Sequence, residues 1–327
     1  MNGTCESPSG PRRASIPIAG HVRLWYTSAQ SGSRSYYERF TQRVSRLDYR
    51  GRRGRFGLQR RGSPEAGDGV TRLARFEHNG SVHYGIVQGD VIQPIEGDLF
   101  GPRTPSGVPI PVADVKLLYP VQPTKIMALA GNYSDHLGKD APLPANPEPF
   151  YKTTNSIIGP GDSVMLPPDS RDVHYEAEFV IVMGKKAKNV SAAEAPDYIL
   201  GYTCGNDISE RQWQNGSLDG PESKDLQWWR GKGAETFSPV GPVIAVGLDF
   251  EKSGIRLRQN GEIKQETTLD HLIFKPAETV AFISKYVTLM PGDLIFTGTT
   301  GTTQPIHAGD VLEVEIDGIG VLRNPVA

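Results

Sequence analysis

An α+β fold in which strands far outnumber helices is what this sequence predicts, and three observations carry the expectation. Beyond residue 70, short runs that alternate apolar and polar residues follow one another, separated by Gly, Pro and Asn turn signals. Only two stretches carry a helical pattern. No strand–helix–strand rhythm links them, which argues against a parallel α/β sheet.

Charge divides the 327-residue chain before pattern does. Residues 1–70 hold 13 Arg, no Lys and 5 acids, a formal +8, and leave 22 basic and 32 acidic side chains, a formal −10, to residues 71–327. The opening segment is rich in Arg, Ser and Gly, has no sustained hydrophobic period, and is expected to form no core of its own. Three readings are open for it. The start codon is placed too far upstream and "TRLARFEHNG" is the true beginning; or the segment is an organellar transit peptide, Arg- and Ser-rich as such peptides are; or it is an arm that neutralises nucleic-acid phosphates. The first two rank above the third, so nucleic acid is not an expected partner. The cytoplasm is the expected location, with the mitochondrion following from the transit-peptide reading.

The next unit, residues 71–120, reads as a small β-rich domain. In "TRLARFEHNGSVHYGIVQGDVIQPI", alternation around "HNGS" and "QGD" predicts a hairpin and a further strand. A Pro- and Gly-rich passage over 101–111 leads into the main domain, 121–327. There the strand candidates are "KIMALA", "SVMLP", "EAEFVIVMG", "PVIAVG", "GIRLRQNGEIKQE", "DLIFTG" and "VLEVEIDGIGVL", with Asn260-Gly261 a hairpin turn. The helix candidates are "SAAEAPDYILG", opened by Ser191 with Glu194 three residues on, and "KPAETVAFISKYVTL".

Several classes are disfavoured at once. No apolar run approaches the length of about eighteen residues that crosses a membrane, so no membrane partner is expected. Cys5 and Cys204 make neither a disulfide framework nor a zinc site. There is no G-x-G-x-x-G and no Walker loop.

The residues that do carry chemistry are acidic. Glu176 and Glu178 open the apolar run "EAEFVIVMG", and residues two apart on a strand share a face. Two adjacent carboxylates in apolar surroundings repel and lose hydration unless a cation binds them; on a solvated edge they would be unremarkable. Asp207, in "GYTCGNDISERQWQ", supplies a third acid after a strand of small residues. Three carboxylates without His or Cys are a hard oxygen donor set, suited to Mg²⁺, Mn²⁺ or Ca²⁺ and poor for zinc.

Five segments in a fixed order sharpen this: "GNYSDH", "HYEAEFVIVMGK", "GNDISERQWQ", "RGKGAETFSPVGP" and "LMPGDLIFTGTTG". With them, residues 71–327 resemble the fumarylacetoacetate hydrolase family over nearly their whole span. The resemblance implies a mixed β-sandwich roll behind the small β-rich N-terminal domain, and a homodimer. It implies Glu176, Glu178 and Asp207 as ligands to a divalent metal, Mg²⁺ foremost, and His136 as general base. Many small family members pair this histidine with a glutamate three positions on, where this chain has Lys139 with Asp140 beside it. Fumarylacetoacetases take the partner from a later strand, where the matching residue is Glu313. Lys232 matches the lysine that steadies negative charge on a substrate oxygen. Gln214, Arg211 and Thr299 match substrate-contacting positions.

The implied reaction is hydrolysis of a C–C bond in an acylpyruvate or other 2,4-dioxo acid, through a metal-stabilised enolate. Decarboxylation, isomerisation or hydration of a 2-oxo acid on the same site is the alternative, as is a silent metabolite-binding homologue.

Overall fold

The computed structural model describes residues 69–137, 141–216 and 224–327. The expectations for the Arg-rich opening segment, and those placed on Lys139 and Asp140, fall on residues outside that set. The described part is α+β and mainly β, as the alternation requires. Its principal strands are β1 (Thr71–His78), β2 (Ser81–Gln88), β3 (Val91–Gly97), β4 (Ile126–Ala130), β5 (Glu148–Lys152), β6 (Ala177–Met183), β7 (Ile199–Asn206), β8 (Ser238–Val246), β9 (Gly254–Gln259), β10 (Glu262–Thr268), β11 (Leu294–Phe296), β12 (Val311–Ile316) and β13 (Gly320–Pro325).

Two sheets organise them. The longer runs β3-β2-β1-β8-β7-β6-β11-β4-β5, and the smaller runs β10-β9-β12-β13. Both Asn-Gly signals close hairpins: Asn79 and Asn260 take positive φ (51° and 55°) ahead of Gly80 and Gly261, as the turn demands. β1 pairs antiparallel with β8, Leu73 opposite Ile244, so the long sheet runs through both the 71–120 and 121–327 segments.

β6 lies at the centre, buried along its whole length. Its odd-numbered members pack into two clusters. Phe179 meets Cys204, Ala245, Ile255, Leu257, Leu312, Val314 and Ile316 between the sheets. Ile181 and Met183 pack with Val280 and Ile283 of helix Pro276–Tyr286. Val180 and Val182 face the opposite side, with Ile126, Ala128, Val240 and Phe296. A strand covered on both faces reads as an unbroken apolar run, which "FVIVM" is.

Two expectations are corrected. "SAAEAPDYILG" is not a helix: Ser191 and Glu194 do exchange hydrogen bonds, Ser191 Oγ donating to Glu194 Oε2 at 2.6 Å, but the chain makes a single 3₁₀ turn over Ala195–Tyr198 and enters β7. Pro196 and the edge of β6 prevail over a cap that stabilises only the first turn. "SVMLP" makes one isolated bridge, Val164 with Val326, rather than a strand. Short helices at Ser134–Leu137, Arg211–Asn215 and Trp229–Gly233 lie below the length at which a helical period can be read.

A buried carboxylate ties the parallel neighbours β4 and β11 together. Asp293 is fully buried, and its Oδ1 accepts from Thr124 N (3.0 Å), Thr124 Oγ1 (2.7 Å) and Lys125 N (3.1 Å). Its Oδ2 accepts from Met290 N at 2.6 Å and pairs with Lys125 Nζ. Replacing Asp293 by Ala leaves these donors unpaired, and we expect a loss of about 3–5 kcal/mol, read as a lowered urea midpoint at unchanged m-value.

Candidate metal centre and active site

The site is assembled by one register. β6 and β7 pair antiparallel with Ala177 opposite Asn206 and Glu178 opposite Gly205. Just before this ladder, Asp207 N donates to Glu176 O at 2.9 Å, and Glu176 N donates to Asn206 Oδ1 at 2.9 Å. The pairing therefore sets Asp207 against the two glutamates. One ligand oxygen from each of Glu176, Glu178 and Asp207 lies within 4.8 Å of the others, and all three side chains are buried. A side chain at residue 205 would not fit, since a Cβ there would stand 2.5 Å from Val180 and 2.6 Å from Phe296.

Three cations surround the carboxylates. Lys232, on the helix Trp229–Gly233, donates to Glu176 Oε2 and Asp207 Oδ2, each at 2.7 Å. Lys152, at the end of β5, has a fully buried ammonium that donates to Asp207 Oδ1 and to the backbone carbonyl of Lys232. Arg211 Nη2 lies 2.6 Å from Glu176 Oε1, and its Nη1 donates to Gln214 Oε1 at 2.7 Å.

The electrostatics follow from burial against pairing. Burial pushes the Glu176 carboxyl up, but Lys232 and Arg211 overcome that and hold it well below the usual carboxylate range. Glu178 goes the other way: burial, then repulsion from Asp207 and Glu176, raises it well above its ordinary value. Its Oε2 accepts from Gly298 N at 2.6 Å, while its buried Oε1 has no hydrogen-bond partner. An orphaned carboxylate oxygen facing two more carboxylates fits a hard divalent cation held by Glu176, Glu178 and Asp207. Burial lowers the Lys152 ammonium, offset in part by Asp207; Lys232, with Asp207 and Glu176 against it, is raised despite burial.

The loop after β11 closes the site. Asn132 is buried beside it; its side chain donates to Thr297 O (2.8 Å) and Phe274 O (3.1 Å) and accepts from Phe274 N (2.7 Å). Gly298 takes φ +93° against it, where a Cβ would stand 2.9 Å from Asn132 Cβ. His136, on the short helix Ser134–Leu137, places Nδ1 2.6 Å from Gly301 O. It stands near enough to Glu176 to act on that carboxyl.

Not every sequence-predicted residue joins this cluster. Glu176, Glu178, Asp207, Lys232, Arg211 and Gln214 come together, with His136 beside them. Glu313 does not reach His136. It alternates with buried Leu312 and Val314, so it faces away from the core, and its carboxylate meets Arg323 Nε at 3.4 Å. The Thr299 hydroxyl is committed to protein: it donates to Ala177 O and accepts from Gln265 Nε2, both at 2.9 Å. Of the adjacent tryptophans before Arg230, Trp228 packs edge-on against Phe150 at 5.1 Å, while Trp229 is largely exposed. Two buried residues escaped the sequence reading, Lys152 and Gln265. Lys152 carried a faint signal, a lone cation at an inward position of the strand "EPFYK".

Comparison with known proteins decides the family. The profile of the fumarylacetoacetate hydrolase C-terminal domain matches residues 125–327, and one described as Rv2993c-like, N-terminal, matches residues 71–120. The chain belongs to the fumarylacetoacetate hydrolase family. The 2-hydroxyhepta-2,4-diene-1,7-dioate isomerase of Mycobacterium marinum is 38% identical with a TM-score of 0.72, over 79% of this chain and 98% of that one. The mitochondrial oxaloacetate tautomerase of Xenopus laevis is 38% identical over 226 residues, 65% of this chain and 69% of that protein. The maleylpyruvate hydrolase of a Sphingobium species is 28% identical with a TM-score of 0.64, over 78% of this chain and 99% of that one. Members of the fumarylacetoacetate hydrolase family are thus enzymes acting on small molecules, isomerases and tautomerases among them. None of the helices in the described residues is long and apolar enough to cross a membrane.

If the carboxylate cage takes a divalent cation, Mg²⁺ stabilises the fold by mass action, about 2.7 kcal/mol at one hundred times its dissociation constant. Thermal unfolding with and without Mg²⁺ reads this directly. Glu178→Gln should erase the Mg²⁺-dependent rise in Tm while leaving the metal-free protein as stable or more so, because it removes a repelled carboxylate.

Proposed function

We propose that this protein is a divalent-cation-dependent enzyme that interconverts the keto and enol forms of a 2-oxo dicarboxylic acid. The observation that carries the reading is the state of His136. A carbonyl oxygen only accepts, so the contact with Gly301 O places a proton on Nδ1, and in the neutral ring the Nε2 lone pair is the base. Among the described residues, His136 has no carboxylate partner. A ring nitrogen so placed is suited to moving a proton between carbon and oxygen, the net change of a tautomerisation.

Charge balance supports the substrate class. Three carboxylates face Lys152, Lys232 and Arg211, so the cage is formally neutral by itself. A bound divalent cation, acting as a Lewis acid on the 2-oxo acid, adds two positive charges, which a dianion matches. Lys232 has three N–H donors; two are held by Glu176 and Asp207, and the third remains to steady charge on the substrate's enol oxygen. On enolisation His136 Nε2 takes the C3 proton and passes it to the oxygen that Lys232 steadies; ketonisation runs the same transfer in reverse.

C–C bond hydrolysis of an acylpyruvate is the second reading, favoured by the likeness to a maleylpyruvate hydrolase. Hydrolysis also demands that an attacking water be oriented, and Glu313, the carboxylate proposed for that task, is engaged by Arg323.

The test runs the full-length protein with Mg²⁺ on enol-oxaloacetate, following loss of its ultraviolet absorbance, alongside acetylpyruvate and fumarylpyruvate with pyruvate release as readout. We expect catalysed ketonisation, lowered by about 10²–10⁴-fold in His136→Ala, and no pyruvate from the diketo acids. Pyruvate from those acids would replace the tautomerase reading by the hydrolase one. Silence on all three with Mg²⁺ bound would sink both.

A further inference from the structure

Beside the cage, a run of polar side chains extends from Arg211 toward the surface. Arg211 Nη2 lies 2.7 Å from Thr303 Oγ1; Thr303 Oγ1 lies 2.9 Å from His174 Nδ1; His174 Nε2 lies 2.9 Å from Asp172 Oδ1. The backbone braces Arg211, His174 and Asp172. Arg211 N donates to Asp172 O at 2.9 Å, His174 pairs with Ser209, and Glu210 Oε1 accepts from the amides of Arg171 and Asp172 at 3.1 and 2.9 Å.

Donor and acceptor chemistry gives this run one direction. A guanidinium only donates, so the Thr303 oxygen accepts from Arg211. A carboxylate likewise only accepts, so Asp172 takes the Nε2 proton of His174, and in the neutral ring Nδ1 holds a lone pair to which the Thr303 hydroxyl donates. The order Asp–His–hydroxyl is that of an acyl-transfer triad, but here the hydroxyl oxygen is held by a cation and is a link in a chain, not a free nucleophile.

We propose that Asp172, His174 and Thr303 are positioning residues that hold the Arg211 guanidinium in one orientation and, through it, set the specificity of the pocket. Arg211 Nη1 donates to Gln214 Oε1, which turns the Gln214 carboxamide so that its NH₂ is the group left to present to a ligand. A pocket that offers a fixed NH₂ selects ligands with an acceptor at that position, such as the distal carboxylate of a 2-oxo dicarboxylic acid. The ligand named here rests on the reading in the preceding subsection; the hydrogen-bond chain does not.

The experiment has two arms, both on the full-length protein. In the first, long-range ¹⁵N–¹H NMR of the histidine rings should show His174 as the Nε2–H tautomer, and the Arg211 guanidinium resonances should be resolved by slow rotation in the wild type and averaged in Thr303→Val. The opposite tautomer, or Arg211 signals indifferent to Thr303→Val, overturns the proposal. In the second, calorimetry measures Mg²⁺ and then 2-oxoglutarate, a stable 2-oxo dicarboxylate. Thr303→Val should keep Mg²⁺ affinity within about twofold and weaken 2-oxoglutarate at least about tenfold, the effect of one hydrogen bond to a charged group, with Thr303→Ser restoring it. Unchanged 2-oxoglutarate binding in Thr303→Val, or a Ser variant as weak as the Val one, also overturns it. If 2-oxoglutarate fails to bind the wild type, the substrate reading falls, and the first arm alone decides the chain.

Discussion

Three carboxylates gathered in a buried site are the constraint on which the rest of this structure depends. At an effective dielectric of about 20, two unit charges about 4 Å apart repel by about 4 kcal/mol, and Glu176, Glu178 and Asp207 make three such pairs within their 4.8 Å cluster. Hydrophobic packing around β6 brings them together, because the strand is buried throughout and its register with β7 leaves the acids nowhere else to point. The fold then supplies the compensation. Lys152 arrives from β5, Lys232 from a short helix, and Arg211 from the start of the helix Arg211–Asn215. Glu178 is the acid left least compensated, and that imbalance is what a divalent cation held there would relieve.

The same economy of polar groups governs the loops. Asn132, Gln265 and Asp293 are buried, and each uses its side chain to hold backbone from distant parts of the chain. Gln265 receives the Ala177 amide at the head of β6 while donating to Thr299 and Thr300, so the site-closing loop and the strand that carries Glu178 share one side chain. Buried polar groups must be paired, and here the pairing also sets the position of functional residues. Thr299 illustrates the consequence: its hydroxyl lies at the site but works for the fold.

His136 stands apart from this tightly paired interior. It is half-buried, on a four-residue helix, and anchored by a single carbonyl. One of its ring nitrogens is fixed by that carbonyl, and the other has no protein partner among the described residues. The ammonium groups of Lys152 and Lys232 play the opposite part, each held by two acceptors at the heart of the cage, and Lys232 is kept charged there by Asp207 and Glu176.

The sequence by itself determined the strand-rich fold class, the hairpins at Asn79-Gly80 and Asn260-Gly261, the long helix, and the metal-ligand candidates. Alternation, turn chemistry and the fixed spacing of two glutamates on one strand face are local properties, written within a few residues of each other. The tertiary structure decided what required partners distant in the chain. It set Asp207 against Glu176, recruited Lys152 as a third cation, and gave Glu313 to Arg323 rather than to His136. It also ended the helix expected after Ser191 in a single turn, because pairing with β6 outweighs a cap. A strand's pattern says which face a side chain takes; only the register between strands says what that face meets, and a shift of one residue would send every carboxylate elsewhere.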